Sequence, residues 1–370
     1  MTQDTFTSFE EDTETTSKPT TQHNKKLKTT QYGLEYDGSV GGMYKLFLLD
    51  LFMRIITLGI YFFWGKTRLR KHVATHHSLG GDRFEYTGTG GELFKGFLKV
   101  LPILVILFAP ILLAEFYPIL GLFYIPLIYC WGIAIYGASR YRYSRLRWRG
   151  IRGFLDGSTI GYANLAFKRM LLNVITLGFT KPASDIAKYS YIANNTYFGS
   201  IKAEYNGNSK VLFGAYIMSG LLIIVCFSFI LGIIGLSMGS VSNFLNPAML
   251  GVIIVLAIIA TSLVFPIARA IYTAALMREK MRGLKIGQLR FMCTVTAGAL
   301  IKHRFVNLLI LIFTIGLGFP YVIHRNIGFN AKHHIIMGDL NAFRTEQAED
   351  HGLTSGEGLE TAFDVDVGFI

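Results

Sequence analysis

The chain repeats itself at a fixed offset of 119 residues, and the repeated positions flank apolar segments. Asp37-Gly38-Ser39 recurs as Asp156-Gly157-Ser158, and Ile56-Thr57-Leu58-Gly59 recurs as Ile175-Thr176-Leu177-Gly178. A partial third copy stands at Ile315-Gly316-Leu317-Gly318. An offset that does not slip indicates tandem copies of one membrane-embedded unit. We predict repeats at 33–151 and 152–270, a partial repeat at 271–338, and disordered tails at 1–32 and 339–370.

Composition places the chain among membrane proteins. Hydrophobic residues make up 51% of it and charged residues 16%, against about 25% charged residues in an ordinary soluble domain. Four apolar runs are near the roughly 20 residues that a helix needs to cross a bilayer. They are 97–113, 119–137, 211–236 and 249–268. We interpret them as four membrane spans arranged in two hairpins.

Three shorter apolar segments, 46–63, 170–180 and 305–323, have basic residues on both sides. Because the charge rule places both ends of each segment on one side of the membrane, we favour re-entrant or interfacial helices. The alternative is that they span, which would make successive units inverted, as in many transporters. The predicted fold class is an all-α polytopic membrane protein of seven apolar segments with small cytoplasmic β elements.

The distribution of charge indicates an orientation. The net charge of +12 comes from Lys and Arg clusters before and after each long hairpin, while the hairpin ends at 114–118 and 237–246 contain neither residue. This is the positive-inside pattern, which predicts that the basic loops and the N-terminus face the cytoplasm. It makes the bilayer the expected partner and disfavours nucleic acid. An oligomer is compatible with this pattern.

Short extended segments that end in glycine recur before the apolar runs. Their glycines are Gly38, Gly88, Gly157 and Gly207, and two of the segments end in Asp-Gly and one in Asn-Gly. Such segments are typical of a strand followed by a turn. We therefore predict small β elements where the helices enter the membrane, with these glycines as turn residues.

The most distinctive motif runs from Tyr61-Phe62-Phe63-Trp64-Gly65-Lys66 to Phe84-Glu85-Tyr86-Thr87-Gly88. With it, the sequence resembles the YjgN-like family of bacterial inner-membrane proteins, a domain family of unknown function. The resemblance covers 33–338. It implies an inner-membrane location and supplies no activity. The chain departs from the family pattern at Phe63, where proline commonly precedes the tryptophan.

Aromatic and basic residues alternate in two stretches, which suits contact with anionic lipid at the membrane interface. The alternative is that these charges only fix the topology. The candidate contacts are Trp64, Lys66, Arg68, Arg70, Arg140, Arg142, Arg145, Arg147 and Trp148.

Asp50 and Arg54 stand four residues apart within an apolar run, so one helical turn brings them together. Ionisable groups at membrane depth usually face a partner or a water-filled cavity, which makes them a candidate intramembrane polar pair. The alternative is that they mark the wet face of an interfacial helix.

His72, His76 and His77 share one helix face, but no His-Glu-x-x-His motif accompanies them. We predict no metal site, no cofactor and no enzymatic activity. The expected function is transport or binding of a membrane-associated solute or lipid. The alternative is a scaffold or envelope-homeostasis factor that recruits partners through its basic cytoplasmic face.

Overall fold

A closed β-barrel of short strands organises the structure. The computed structural model describes residues 30–240, 251, 252, 255 and 265–340. Ten antiparallel strands form the barrel, and the first strand pairs with the last, with Gln31 opposite Met337. The strands are β1 (Gln31–Tyr36), β2 (His77–Leu79), β3 (Asp82–Tyr86), β4 (Leu146–Trp148), β5 (Ile151–Leu155), β6 (Thr196–Phe198), β7 (Ile201–Tyr205), β8 (Leu284–Ile286), β9 (Leu289–Cys293) and β10 (His334–Met337).

Helices connect the strands in pairs. The described helices are α1 (Val40–Ile56), α2 (Phe62–Thr75), α3 (Gly90–Leu112), α4 (Tyr124–Arg145), α5 (Thr159–Ile175), α6 (Lys181–Asn194), α7 (Phe213–Ser240), α8 (Ala270–Arg282), α9 (Ala297–Phe313) and α10 (Phe319–His333). Short 3₁₀ segments, Pro118–Phe123 and Ser209–Leu212, precede α4 and α7.

The order of the strands places all of these helices at one end of the barrel. Tight turns join β2 to β3, β4 to β5, β6 to β7 and β8 to β9. Because successive strands run in opposite directions, those turns lie at one end, and every helical connection leaves from the other. We call the second end the helical end.

Local capping begins helices at this end. The side chains of Ser39, Thr89, Ser158 and Thr296 accept hydrogen bonds from backbone N–H groups three residues later, which satisfies donors that the first turn leaves open. One backbone bond also joins the two ends of each helical connection. An example runs from Asp37 N to His76 O at 3.1 Å.

The barrel interior is apolar and its outer wall is charged. Leu79, Trp148 and Leu289 are buried inside together with Leu340, which follows the last strand. On the outer wall, oppositely charged residues face each other across strands, as Glu85 does Arg147 and Glu204 does Lys285. A wall of paired, exposed charges fits an aqueous environment.

The barrel corrects the predicted fold class. The predicted all-α fold with small cytoplasmic β elements is wrong, because the short strands combine into one closed sheet. The predicted four spans are also wrong as a count for the described residues. Three helical segments there are long and apolar enough to cross a membrane: Gly90–Leu112, Pro118–Arg145 and Ser209–Ser228. The predicted span at 249–268 lies largely outside the described residues.

The three shorter segments differ in form from the prediction. None is a single re-entrant or interfacial helix; each forms part of a pair of helices joined by a five-residue turn. We call these pairs, α1–α2, α5–α6 and α9–α10, the short hairpins, and their turns, 57–61, 176–180 and 314–318, the tips. The predicted repeat boundaries remain predictions, and the predicted tails lie almost wholly outside the described residues.

Candidate lipid-contacting site

Each tip is built from the same three residue types. In the first, Thr57 Oγ1 donates to Met53 O at 2.7 Å and accepts from Tyr61 N at 2.9 Å, so one hydroxyl bridges both helices. Thr176 and Thr314 make the corresponding bonds. The glycine two residues after the threonine donates its N–H to the carbonyl five residues earlier, as Gly59 N does to Arg54 O at 2.8 Å. This bond is the Schellman ending of a helix.

The residue between threonine and glycine adopts a backbone conformation that ordinary side chains avoid. Its φ is 49° at Leu58, 49° at Leu177 and 51° at Ile315. Glycine is the usual choice at this place in a Schellman motif, and a β-branched residue such as isoleucine is a marked exception. The strain is associated with a large apolar side chain in all three tips.

These strained side chains are also the most exposed apolar groups of their hairpins. Leu58 is 94% exposed, Leu177 89% and Ile315 92%. Their neighbours are apolar and exposed too, so each hairpin ends in an apolar cap. The exposed neighbours include Ile55, Ile56, Ile60, Val174, Ile175, Phe179, Ile312, Phe313, Leu317 and Phe319.

Cations lie over aromatic rings just below the first tip. Arg54 and Lys66 approach the Phe62 ring at 4.8 and 5.6 Å, and Arg68 approaches the Tyr61 ring at 5.5 Å. Trp64, which is 37% exposed, stacks on Tyr61 with 6.2 Å between ring centroids. The third tip has one such pair, Arg325 over Tyr321 at 6.0 Å. Aromatic rings with adjacent cations are typical of the level of lipid headgroups.

The predicted polar pair forms within the first short hairpin. Arg54 Nη2 lies 2.6 Å from Asp50 Oδ2, and Asp50 is the more buried partner. At an interhelical position in the second short hairpin, Asn173 Oδ1 accepts from Thr180 and Ser184. The third has Asn307, whose Nδ2 donates to Asn326 Oδ1 at 2.7 Å. Each short hairpin therefore holds a polar contact between or beside its helices.

The remaining predicted lipid contacts lie elsewhere. Arg70 donates to the Tyr86 hydroxyl at 3.3 Å, and Arg140 donates to the carbonyls of Leu155 and Gly157, so both hold helices to the barrel. Arg145 pairs with Glu92 at 3.2 Å. Arg142 is half-buried near the end of α4 and Arg147 is exposed on the outer barrel wall.

Trp148 departs most from the predicted role. It is 4% exposed and lies inside the barrel, near Phe84 and Phe198. The barrel wall separates it from any membrane interface.

Three of the four predicted turn glycines serve a different purpose. Only Gly157, with φ of 100°, has the backbone conformation of a turn glycine. At Gly38, Gly88 and Gly207 a tyrosine two residues earlier folds its ring over the glycine. At Gly207 an added Cβ would lie 2.0 Å from the Tyr205 hydroxyl. Glycine is required there because the ring occupies the place of a side chain.

The predicted histidine face lies at the base of α2. His76 and His77 Nδ1 each lie 2.7 Å from the carbonyl four residues earlier. Burial lowers the pKa of His72 and of His77 below the ordinary value. Within the described residues, no group of three or more His, Cys, Asp or Glu side chains is arranged to hold a metal ion.

No role was predicted from the sequence for the strained tip residues Leu58, Leu177 and Ile315. The available signal was an apolar residue between threonine and glycine at three places, at a position where helix endings favour glycine.

Comparisons with known proteins agree with the membrane assignment. A family model described as a bacterial protein of unknown function (DUF898) matches residues 31–362. The inner membrane protein YjgN of Salmonella typhimurium (strain LT2) is 33% identical over 73 residues, which are 20% of this chain and 18% of that relative. The match therefore spans about a fifth of either protein. No solved structure matches the chain. The resemblance to a YjgN-like family, indicated by the motif around Trp64, is confirmed.

Proposed function

This chain belongs to the bacterial protein family of unknown function DUF898, and we propose that it binds anionic lipid at the inner membrane through the tips of its short hairpins. The observation that carries the proposal is the strained, exposed apolar residue in each tip. A left-handed backbone costs roughly 1–2 kcal/mol for a residue with a Cβ, and such strain concentrates where function requires a particular side chain. Lipid acyl chains would cover these side chains.

The lengths of the helices support shallow insertion of the tips. At about 1.5 Å per residue, α3 with 23 residues extends about 35 Å and α2 with 14 residues about 21 Å. Both α2 and α3 connect to the barrel at its helical end. If α3 crosses the bilayer, the short hairpins therefore enter the same bilayer from the barrel side. The first cation after the first tip is Lys66, so only the end of that hairpin is fully apolar.

Charge supports an orientation with the barrel in the cytoplasm. Lys66 and Arg68 follow the first tip toward the barrel, and Arg325 follows the third. Cations on the barrel side of apolar segments are expected on the cytoplasmic side of the inner membrane, where they meet anionic headgroups. The protein would then be multi-pass, with its barrel beneath the membrane.

Lipid binding by the purified protein tests the proposal. Native mass spectrometry in detergent would compare phosphatidylglycerol with phosphatidylcholine for the wild type and for the triple variant Arg54→Gln, Lys66→Gln, Arg68→Gln. We expect the triple variant to lose most of the preference for phosphatidylglycerol. The matched control, Lys202→Gln, Lys285→Gln, Arg290→Gln, removes equal charge from the outer barrel wall and should keep it.

A second variant separates lipid contact from charge alone. Replacing Leu58, Leu177 and Ile315 by serine leaves every cation in place but removes the apolar caps. We expect weaker retention of both lipids. If neither triple variant changes lipid binding, the tips are not the binding site. Reconstituted vesicles with fluorescent phosphatidylglycerol would then show whether bound lipid also moves between leaflets, which is the transport form of the proposal.

A further inference from the structure

A second group of cations lies between α6 and α8, away from the first tip. Asp185 forms ion pairs with Lys181 and, at 3.7 Å, with Lys188. The Tyr272 hydroxyl donates to Asp185 Oδ2 at 2.8 Å. Lys280 from α8 lies over the Tyr189 ring at 5.0 Å. We call Lys181, Asp185, Lys188 and Lys280 the lysine cluster.

The cluster has more positive charge than its acid can neutralise. Lys181 and Lys188 pair with one carboxylate, Lys280 adds a third positive charge beside Tyr189, and Arg269 adds a fourth near Tyr272. Each ammonium group carries three N–H donors, whereas Asp185 presents two oxygens that already accept from Lys181 and Tyr272. The nearby Glu279 does not change this balance, because it accepts from Asn208 N and pairs with Arg282.

Burial makes this excess costly. Asp185 is 13% exposed, and Lys181 and Lys188 are about one-third exposed. Burial, followed by the charge of Lys181, lowers the pKa of Lys188. Burial likewise lowers the pKa of Lys280, with Asp185 opposing the shift and the other two lysines adding to it. A bound anion would favour the charged form of both lysines.

We propose that Lys181, Lys188 and Lys280 bind a phosphate group between α6 and α8. Lysine binds phosphate as a flexible point charge, and three lysines on two helices can surround its oxygens. The phosphate would come from a lipid headgroup or from free phosphate, since the chemistry of recognition is shared. This inference goes beyond the proposed function because it uses none of the tip residues.

Calorimetric titration of the detergent-purified protein with inorganic phosphate tests the site. We expect Lys188→Gln and Lys280→Gln each to weaken binding about tenfold, which corresponds to about 1.4 kcal/mol. Asp185→Asn should strengthen binding severalfold, because it removes the competing negative charge while keeping an acceptor for Tyr272. The control Lys285→Gln, on the outer barrel wall, should bind phosphate as the wild type does.

Opposite signs for the lysine and aspartate variants distinguish a ligand site from a structural ion network. In a structural network, all three variants would lower the unfolding temperature, and Asp185→Asn would not strengthen phosphate binding. That outcome would overturn the proposal.

Reductive methylation of the wild type gives a readout that needs no variant. Phosphate should slow labelling of Lys188 and Lys280 but not of Lys285, as measured by peptide mass spectrometry. Equal labelling with and without phosphate would count against the site.

Competition identifies the source of the phosphate. If phosphatidylglycerol displaces inorganic phosphate, the site takes a lipid headgroup; if phosphate binds and the lipid does not displace it, the ligand is free phosphate. Both outcomes support the site, and the proposal is overturned if neither inorganic phosphate nor phosphatidylglycerol binds. The variant with serine at Leu58, Leu177 and Ile315 should retain phosphate binding at the lysine cluster. Loss of phosphate binding at this site can therefore be told apart from loss of lipid binding at the tips.

Discussion

Asp50 Oδ1 lies 1.5 Å from the place that a Cβ on Gly65 would occupy. The two helices of the first short hairpin therefore approach each other around the carboxylate, which Arg54 holds from the other side at 2.6 Å. The glycine in the Phe-Trp-Gly part of the motif makes room for the ion pair. The pair contributes to packing of the hairpin whatever its depth in the membrane.

Replacing Gly65 by alanine should destabilise the first short hairpin. The new methyl group must displace Asp50 and break the ion pair, and overpacking of this kind typically costs about 1–3 kcal/mol. Thermal unfolding in detergent measures the effect. Gly41→Ala is the matched control, because a Cβ there meets nothing within 4 Å, and it should be neutral or slightly stabilising. The cost of Gly65→Ala should shrink in an Asp50→Ala background, and an unchanged cost would place the clash elsewhere.

Replacing Ile315 by asparagine should stabilise the protein in detergent while weakening its hold on lipid. Asparagine tolerates the left-handed conformation that isoleucine resists, so relief of strain is worth about 1 kcal/mol. Leu317→Asn is the control. It also removes an exposed apolar side chain from the third tip, but Leu317 is not among the residues with positive φ. A rise in unfolding temperature for both variants, or for neither, would argue against backbone strain as the cause.

The sequence predicted the long apolar helices well and the barrel poorly, for a physical reason. Apolar runs such as 97–113 are local signals, and Gly90–Leu112 is a candidate span. A strand of three residues such as β4 has too few positions to show alternation. Closure of the barrel depends on the pairing of Gln31 with Met337, two residues at opposite ends of the described chain. No pattern within a short stretch of sequence indicates such a pairing.

The predicted location of Trp148 at the membrane interface was wrong for the same reason, since it too was inferred from a local pattern. Its neighbours Arg140, Arg145 and Arg147 form a basic-aromatic run that is typical of a membrane interface. Within that run α4 ends and β4 begins at Leu146, so Arg140 donates to the carbonyl of Leu155 at the end of β5, whereas Trp148 lies inside the barrel. Trp64, Lys66 and Arg68 remain together because they lie on one helix.

Replacing Tyr205 by phenylalanine should be neutral or slightly stabilising. The Tyr205 hydroxyl is buried and has no hydrogen-bond partner among the described residues, and an unsatisfied buried polar group costs about 1–3 kcal/mol. Gly207→Ala should instead destabilise, since its Cβ would lie 2.0 Å from the Tyr205 hydroxyl oxygen and 2.4 Å from the ring carbon that bears it. Denaturant unfolding of both variants tests the pair. A loss of stability in Tyr205→Phe similar to that in Gly207→Ala would show that the hydroxyl has a partner.

Acidification should destabilise the junction of α2, α10 and the barrel. Burial is the main cause that lowers the pKa of His72, His77 and His324 below the ordinary value of 6.5. Neighbouring His76 adds to the shift at His72, while Asp37 opposes it at His77. Because the unfolded chain then takes up protons first, stability is fully present above about pH 6.5 and declines as the pH falls toward the folded pKa values.

The unfolding temperature in detergent should drop by a few degrees between pH 7 and pH 5.5. The double variant His72→Gln, His324→Gln should show a smaller drop, whereas Gly41→Ala, which leaves every histidine in place and adds a Cβ that meets nothing within 4 Å, should follow the wild type. An equal drop in all three proteins would assign the pH dependence to other groups.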